Sequence, residues 1–354
     1  MITIFTPSFA DAANSNAQNL TAKEVVARLD PARFKVQMLH LSTPDERILE
    51  RPNTELIQYW RRGNTARLLS RCLRADLYFF PREGPLDAAF VFLRRVLRLN
   101  VGLITYVVST VEPGVASPRF ARCITEADAV VGNSAYVSET VKQTFGRTAT
   151  TIASGVRRDW YFPPAEERPV HPAKLVVLYA GTFQARKRVQ VVIEEAAKWP
   201  DVEFRLAGAG EEEASCRALA ASLGCSNVRF LGHLAGPKLG EEMRGADVFL
   251  FPSRIEGHPQ VLGQAAACGL PCLARDVYHP DYVVNGQTGF LVTSEAEIPA
   301  KLEVLLTQPD LRRSMSKAAV RHLQQFEWDR SVKLWEELFV EVLARRVKAR
   351  GESH

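Results

Sequence analysis

The sequence predicts an α/β protein built from two doubly wound domains, each a parallel sheet wrapped by helices, facing a central cleft. Short, near-continuous apolar runs rich in β-branched and aromatic residues alternate with longer helical patterns, as parallel strands covered on both faces require. The 354 residues suffice for about two domains, each with its own core. Between the halves, GVRRDWYFPPAEERPVHPAK (155–174) holds Pro163, Pro164, Pro169 and Pro172. Proline at that density favours extended backbone and marks a boundary.

In the first domain, 1–155, strands are expected at ITIFTP (2–7), FKVQMLHL (34–41), DLYFFP (76–81), GLITYVVS (102–109), AVVGNS (129–134) and TTIAS (150–154). A linker over 156–173 leads to the second domain, 174–325. Its strands are expected at LVVLYAG (175–181), VEFRLAG (202–208), VRFLG (228–232), VFLFPS (248–253), PCLAR (271–275) and GFLV (289–292). The remainder, 326–354, reads as a long amphipathic helix whose Trp328, Trp335, Leu338, Phe339 and Val342 face protein.

Composition narrows the function classes. The chain is 46% hydrophobic and 24% charged, and no apolar stretch approaches the ~20 residues of a membrane span. The first residues enter a strand without a basic leader, so a cytoplasmic location is expected. Six cysteines without CxxC spacing or paired histidines read as buried thiols, and no metal site is expected. A net charge of +5 gives no reason to expect a nucleic-acid partner.

The charge is uneven. Between Trp60 and Asn100 stand nine arginines, no lysine and three carboxylates. Two amphipathic helices with solvated arginines account for this. An alternative is a surface, including Arg94, Arg95 and Arg98, that leans on an anionic membrane and makes the protein peripheral on its inner face.

Three loops at strand ends could carry chemistry. In AGTFQARKR, Arg186, Lys187 and Arg188 stand where a strand gives way to a helix, and three cations there call for an anion. The reading is a diphosphate clamp centred on Lys187. In LAGAGEEEA, Gly208 and Gly210 form a tight turn, and Glu211 to Glu213 open a helix whose dipole suits them. In SRIEGHPQV, Gly257 allows close backbone approach and Pro259 suits the first turn of a helix. The amides of 259–261 then form a second phosphate cradle, with Glu256 placed to accept from sugar hydroxyls. Gln264, eight residues after Glu256, lies one turn further along the helix, within reach of a ribose.

AGTFQARK, RLAGAG, VRFLGHL, ADVFLFPSRIEGHPQVLGQAAACGLPCLA, NGQTGFLV and FEW, in that order, make the second half resemble the retaining glycosyltransferase family 4, of the GT-B fold. The likeness covers about half the chain, with AVVGNSAYVSETVKQTFG and TIASGV (129–156) as a further match upstream. It implies transfer of a sugar from a nucleotide-diphospho-sugar donor to a hydroxyl of a glycan or lipid-linked acceptor. The anomeric configuration would be retained, with no metal or cofactor, and the last helix would cross back to the first domain.

Carried over residue by residue, the resemblance makes Lys187 the diphosphate lysine and Glu256 the glutamate that contacts the transferred sugar; these two are the catalytic candidates. It makes Gly257, His258, Pro259, Gln260 and Val261 the phosphate-binding turn, and places Gly232, His233 and Leu234 beside the base. Gly181 precedes a position where the family often carries arginine; here it is Thr182, with Arg186 as candidate substitute. Gln264 stands where a second glutamate grips the ribose. An amide has one acceptor oxygen where a carboxylate has two, so donor affinity should weaken by ~1–3 kcal/mol while the bond-making groups remain. The usual glycine-rich loop is replaced by SFADAANSNAQN, where Asn14, Ser15 and Asn16 are small enough to let a phosphate approach, and Glu112 is either an acceptor-side carboxylate or an ordinary surface-loop residue; these four are the acceptor-side candidates. These departures also allow a degenerate, non-catalytic homologue that serves as a binding partner in glycan assembly.

Overall fold

The structure, a computed structural model, describes residues 1–12, 17–59, 64–81, 83–110, 116–166 and 174–351. Its chain divides into two compact units. The first comprises Met1–Gly155 together with the residues from Trp328 onward, and the second Val156–Glu327.

Seven strands of the first unit are β1 (Ile2–Phe9), β2 (Phe34–His40), β3 (Thr54–Gln58), β4 (Leu77–Phe79), β5 (Gly102–Val107), β6 (Ala129–Gly132) and β7 (Thr150–Thr151). They pair in parallel in the order β3-β2-β1-β4-β5-β6-β7. The sequence reading missed β3. It is an edge strand with three of its five residues only half-buried, so TELIQ lacks the continuous apolar run that marks the others. TTIAS pairs over only its first two residues.

Helices cover both faces of this sheet. On one, Tyr78 stacks on Phe90 with ring centroids 4.0 Å apart. On the other lies the helix Trp328–Gly351, which therefore returns to the first unit. Its Trp335 meets Phe79 at 5.0 Å and Tyr106 at 5.1 Å in edge-to-face contacts. Trp335, Leu338, Phe339 and Val342 are all buried in this core. Each such side chain contributes roughly 1.5–3 kcal/mol, so the sheet face depends on this distant stretch of sequence.

The arginine-rich stretches form helices over Thr65–Arg74 and Pro85–Val96. Arg94 is a structural pin: it donates to the Val101 carbonyl at 2.7 Å and the Glu126 carbonyl at 3.1 Å, and bonds Asp128. Arg95 and Arg98 are exposed. No helix among the described residues is long and apolar enough to cross a membrane.

The second unit holds β8 (Val176–Ala180), β9 (Glu203–Ala207), β10 (Val228–Gly232), β11 (Val248–Phe251), β12 (Cys272–Arg275) and β13 (Gly289–Val292), parallel in the order β10-β9-β8-β11-β12-β13. The strand order reverses between β8 and β11. The chain leaves those neighbours toward opposite faces, which opens a crevice at their carboxyl ends. Residues 156–166 of the proline-rich stretch are fastened to this unit. Val156 donates to the Phe326 carbonyl at 3.0 Å, and Arg244 donates to the Trp160 carbonyl at 3.1 Å while lying 4.1 Å over the Phe162 ring. Pro169 and Pro172 lie outside the described residues.

Candidate functional site at the carboxyl edge of the second sheet

The loop after β8 is set by Phe183, which is fully buried. Its N–H donates to the Ala209 carbonyl at 2.9 Å and its carbonyl accepts from Glu212 at 3.0 Å. Two backbones thus lie against each other. A Cβ on Gly208 would come 1.9 Å from the Gly181 oxygen, and one on Gly210 2.4 Å from the Phe183 oxygen. The paired glycines are accounted for by this close approach, in keeping with a tight turn. The helix that follows begins only at Glu213, so Glu211 and Glu212 precede its first turn.

With the loop so held, Ala185–Lys187 form a 3-10 turn and the helix Val189–Lys198 follows. Arg188 sits between them in the left-handed region, φ 56°. Lys187 Nζ lies 2.5 Å from Glu256 Oε1, with the two side chains only 11% and 10% exposed. Arg186 Nη1 donates to the Ile255 carbonyl at 2.9 Å and reaches the same Glu256 oxygen at 3.3 Å. Ser253, at the end of the β11 segment, donates to that oxygen at 2.6 Å. The backbone adds a tie: Arg254 N–H donates to the Arg186 carbonyl at 2.9 Å. The hydrogen bonds found to the Glu256 carboxylate among the described residues all use Oε1, leaving Oε2 as an acceptor. Burial pulls the Lys187 ammonium below its ordinary pKa, against the opposing charge of Glu256.

The cations at this turn are therefore compensated in part from within. Arg186 and Lys187 share Glu256, and Arg188 holds Glu295 through Nε at 2.8 Å and Nη2 at 2.7 Å. Arg254 and Arg275 join Glu295 at 3.1 and 3.2 Å. The hydrogen bonds from Arg188, with the other arginines, hold the Glu295 carboxyl below its usual range. This cluster ties the segments after β8, β11 and β13 to the end of β12.

The helix Gln260–Ala267 begins one residue later than expected. Pro259 is its N-cap (φ −69°, ψ 99°) and, as proline, carries no N–H. That corrects the expected cradle of amides 259–261. Leu262 N–H already donates to the Pro259 carbonyl at 3.0 Å. The Gln260 and Val261 amides are the first-turn groups without an intrahelical acceptor. Gln260 reaches the Tyr282 hydroxyl at 3.2 Å through its side chain.

His258 is the unusual member. It is buried, its ring centroid is 4.2 Å from that of Tyr282, and neither ring nitrogen has a hydrogen-bond partner among the described residues. Asp281 Oδ2 stands 3.9 Å from Nδ1. Burial lowers the imidazole pKa to about 3, so the ring is neutral at ordinary pH.

The other expected residues divide by place. Gly181 and Thr182 share the Lys187 loop; Thr182 is exposed, and its hydroxyl bonds the Gln184 side chain at 3.2 Å. Gln264 is half-buried in the second turn of its helix, with no side-chain hydrogen bond found among the described residues. Gly232 is the last residue of β10, two strands away from β8, and His233 and Leu234 follow it. Asn14, Ser15, Asn16 and Glu112 lie outside the described residues. Sequence reasoning missed Ser253 as a partner of Glu256, although it closes the same loop. It also missed Glu295, which is 107 positions from Arg188 and has no local signal.

The site is a cationic pair on a half-engaged carboxylate, beside free helix amides, at the switch point of a parallel sheet. It can hold an anion and accept hydroxyl hydrogen bonds. Residues 165–322 match the family of glycosyl transferases group 1. A D-inositol 3-phosphate glycosyltransferase of Rhodococcus erythropolis is 28% identical over 243 residues, 62% of this chain and 55% of the relative. One of Kribbella flavida is 33% identical over 172 residues, 44% and 41% of the two chains. The chain thus matches about half the length of these curated relatives. Among solved structures, the Anabaena protein HepE in complex with UDP and glucose superposes with a TM-score of 0.79 at 16% identity, covering 96% of this chain and all of that one. Sucrose-phosphate synthase from Thermosynechococcus elongatus does so at 0.76 and 19%, covering 98% and 100%. At such identities the likeness shows the fold, which is GT-B.

Proposed function

With residues 165–322 forming a group 1 glycosyl transferase domain, we propose that the chain moves a sugar from a nucleotide-diphospho-sugar donor to a hydroxyl of a glycan or lipid-linked acceptor, with retention and without metal. The observation that carries this reading is the Lys187–Glu256 pair at 2.5 Å, with Glu256 Oε2 left open beside the Gln260 and Val261 amides. In it, Lys187, Arg186 and those amides hold the diphosphate, and Gly257 lets the backbone approach it. Glu256 Oε2 takes hydroxyls of the transferred sugar, Gln264 the ribose, and Gly232 to Leu234 the base, with Gly181 and Thr182 lining the near side.

As the glycosidic bond breaks, negative charge gathers on the departing diphosphate. Lys187 and the helix amides are already in place to stabilise it, so little reorganisation is needed. In a retaining front-face course, the acceptor oxygen bonds the anomeric carbon on the side the diphosphate leaves. The departing phosphate oxygen takes the acceptor proton. Support comes from the relatives, named as glycosyltransferases of an inositol phosphate, and from HepE, solved with UDP and glucose.

An anionic membrane as the place of the acceptor fits Phe92, Val96 and Leu97, exposed at 53%, 55% and 55% beside Arg95 and Arg98. The test of transfer is nucleoside-diphosphate release from a panel of sugar nucleotides, with product configuration read by NMR and chelator added in parallel. Turnover should disappear in Glu256→Ala; turnover at the wild-type rate in that variant would remove Glu256 from the chemistry.

A further inference from the structure

The first sheet carries the helix Trp328–Gly351 on one face and the helices Pro85–Val96 and Pro118–Thr125 on the other. The inner sides of the latter two share one core, through Phe90 and Val91 of the first and Cys123 and Ile124 of the second. Their outer sides are not simply polar. Phe92 and Val96 stand one turn apart on the first helix and Leu97 follows it, each more than half exposed. Three large apolar side chains therefore meet water within six residues.

Between the two helices runs a groove of about 220 Å3, smaller than the ~300–1,000 Å3 of drug-sized sites. Arg95 borders it from one helix, and Arg119 and Arg122 from the other. Glu126 is the one carboxylate of the described lining, 3.6 Å from Arg95. Arg119 and Arg122 are exposed, and their side chains have no partner among the described residues. Arg98 adds a fourth cation. It follows the first helix in the left-handed region, φ 48°, where glycine sits at least cost. Its guanidinium is also exposed, with no partner among the described residues, so no contact within the fold accounts for arginine at a strained position.

Exposed apolar side chains flanked by unpaired guanidinium groups suit the boundary between water and anionic lipid. Rings and aliphatic groups enter the acyl region while arginine heads meet phosphates. A bilayer supplies both chemistries over an area wider than the patch.

We propose that this face docks on an anionic phospholipid bilayer, with a headgroup phosphate in the groove among Arg95, Arg119 and Arg122, and Phe92, Val96 and Leu97 inserted beside it. This deepens, and rests on, the reading of an acceptor at an anionic membrane.

Co-sedimentation of the full chain with vesicles tests it. The protein should partition onto equimolar phosphatidylglycerol and phosphatidylcholine and stay in solution with phosphatidylcholine alone. Each arginine near such a surface contributes about fivefold, so Arg119→Ala with Arg122→Ala should lower partitioning ~25-fold. Phe92→Ala should lower it about tenfold through lost insertion. Arg345→Ala, an exposed cation on the helix over the opposite sheet face, should leave it unchanged. All these side chains are exposed, so their truncation leaves the fold intact. No partitioning, equal partitioning onto phosphatidylcholine alone, full retention in Phe92→Ala, or a loss in Arg345→Ala matching that of a groove arginine would each overturn the proposal. Sedimentation reads binding without turnover, so its failure leaves sugar transfer standing, and absence of transfer leaves this surface standing.

Discussion

His258→Phe isolates one buried titration. The His258 side chain is fully buried, lies against Tyr282, and has no hydrogen bond to either nitrogen among the described residues. Its folded pKa is about 3, against 6.5 for a free imidazole. As pH falls below 6.5 the unfolded chain takes up a proton that the folded chain refuses until about pH 3. Folding stability therefore drops by about 1.4 kcal/mol per pH unit in that window. Acidification from pH 6.5 to 4.5 costs about 2.3 kcal/mol, or roughly 5–9 °C in Tm for a unit of this size. Carboxylates such as Glu203 and Glu295, held below their usual range by arginines, also lose stability in acid. They are common to both proteins, so the difference between wild type and variant removes them. Phenylalanine leaves no unpaired polar atom and cannot titrate. His258→Phe should be at least as stable as wild type at pH 7.5, with its advantage growing as pH falls. Urea unfolding of both proteins from pH 7.5 to 4.5 measures this. A difference that stays constant across that range would refute the buried, neutral imidazole.

Three other outcomes follow from the same geometry. Gly208→Ala places a methyl 1.9 Å from the Gly181 oxygen, and should cost about 1–3 kcal/mol in urea unfolding while displacing the Lys187 loop. At Arg188, with φ 56°, glycine should be more stable than alanine by about 1 kcal/mol, since both lose the Glu295 pair and only alanine keeps the left-handed strain. Gln264→Glu should tighten nucleoside-diphosphate binding by about 1–3 kcal/mol and leave inorganic pyrophosphate binding unchanged, because it adds an acceptor only for the ribose; calorimetry with the two ligands separates these.

Much of this was legible in the sequence, for physical reasons. Buried parallel strands such as VVLYA and VFLF are continuous apolar runs, and the Lys187 and Glu256 loops follow them directly. Edge strand β3 was not legible because half-exposed residues carry no such run. The helix start at Gln260 was misjudged by one residue, since proline suits either side of a helix boundary. Glu295 and the neutral burial of His258 depend on neighbours far along the chain, Arg188 and Phe326 among them, which no local pattern announces. The glycines at 208 and 210 were read as a turn, but the 181–183 backbone they accommodate emerges only when β8 and β9 pair.

The most direct test of a diphosphate site at Lys187 is a thermal-shift panel of UDP, GDP, ADP and their sugar conjugates against wild type and Lys187→Ala. A nucleotide at ~100 times its Kd stabilises the folded chain by about 2.7 kcal/mol. A sugar-donor site at this edge predicts a base-selective rise in Tm that is lost in Lys187→Ala. No rise with any nucleotide, or a rise that survives Lys187→Ala undiminished, would contradict it.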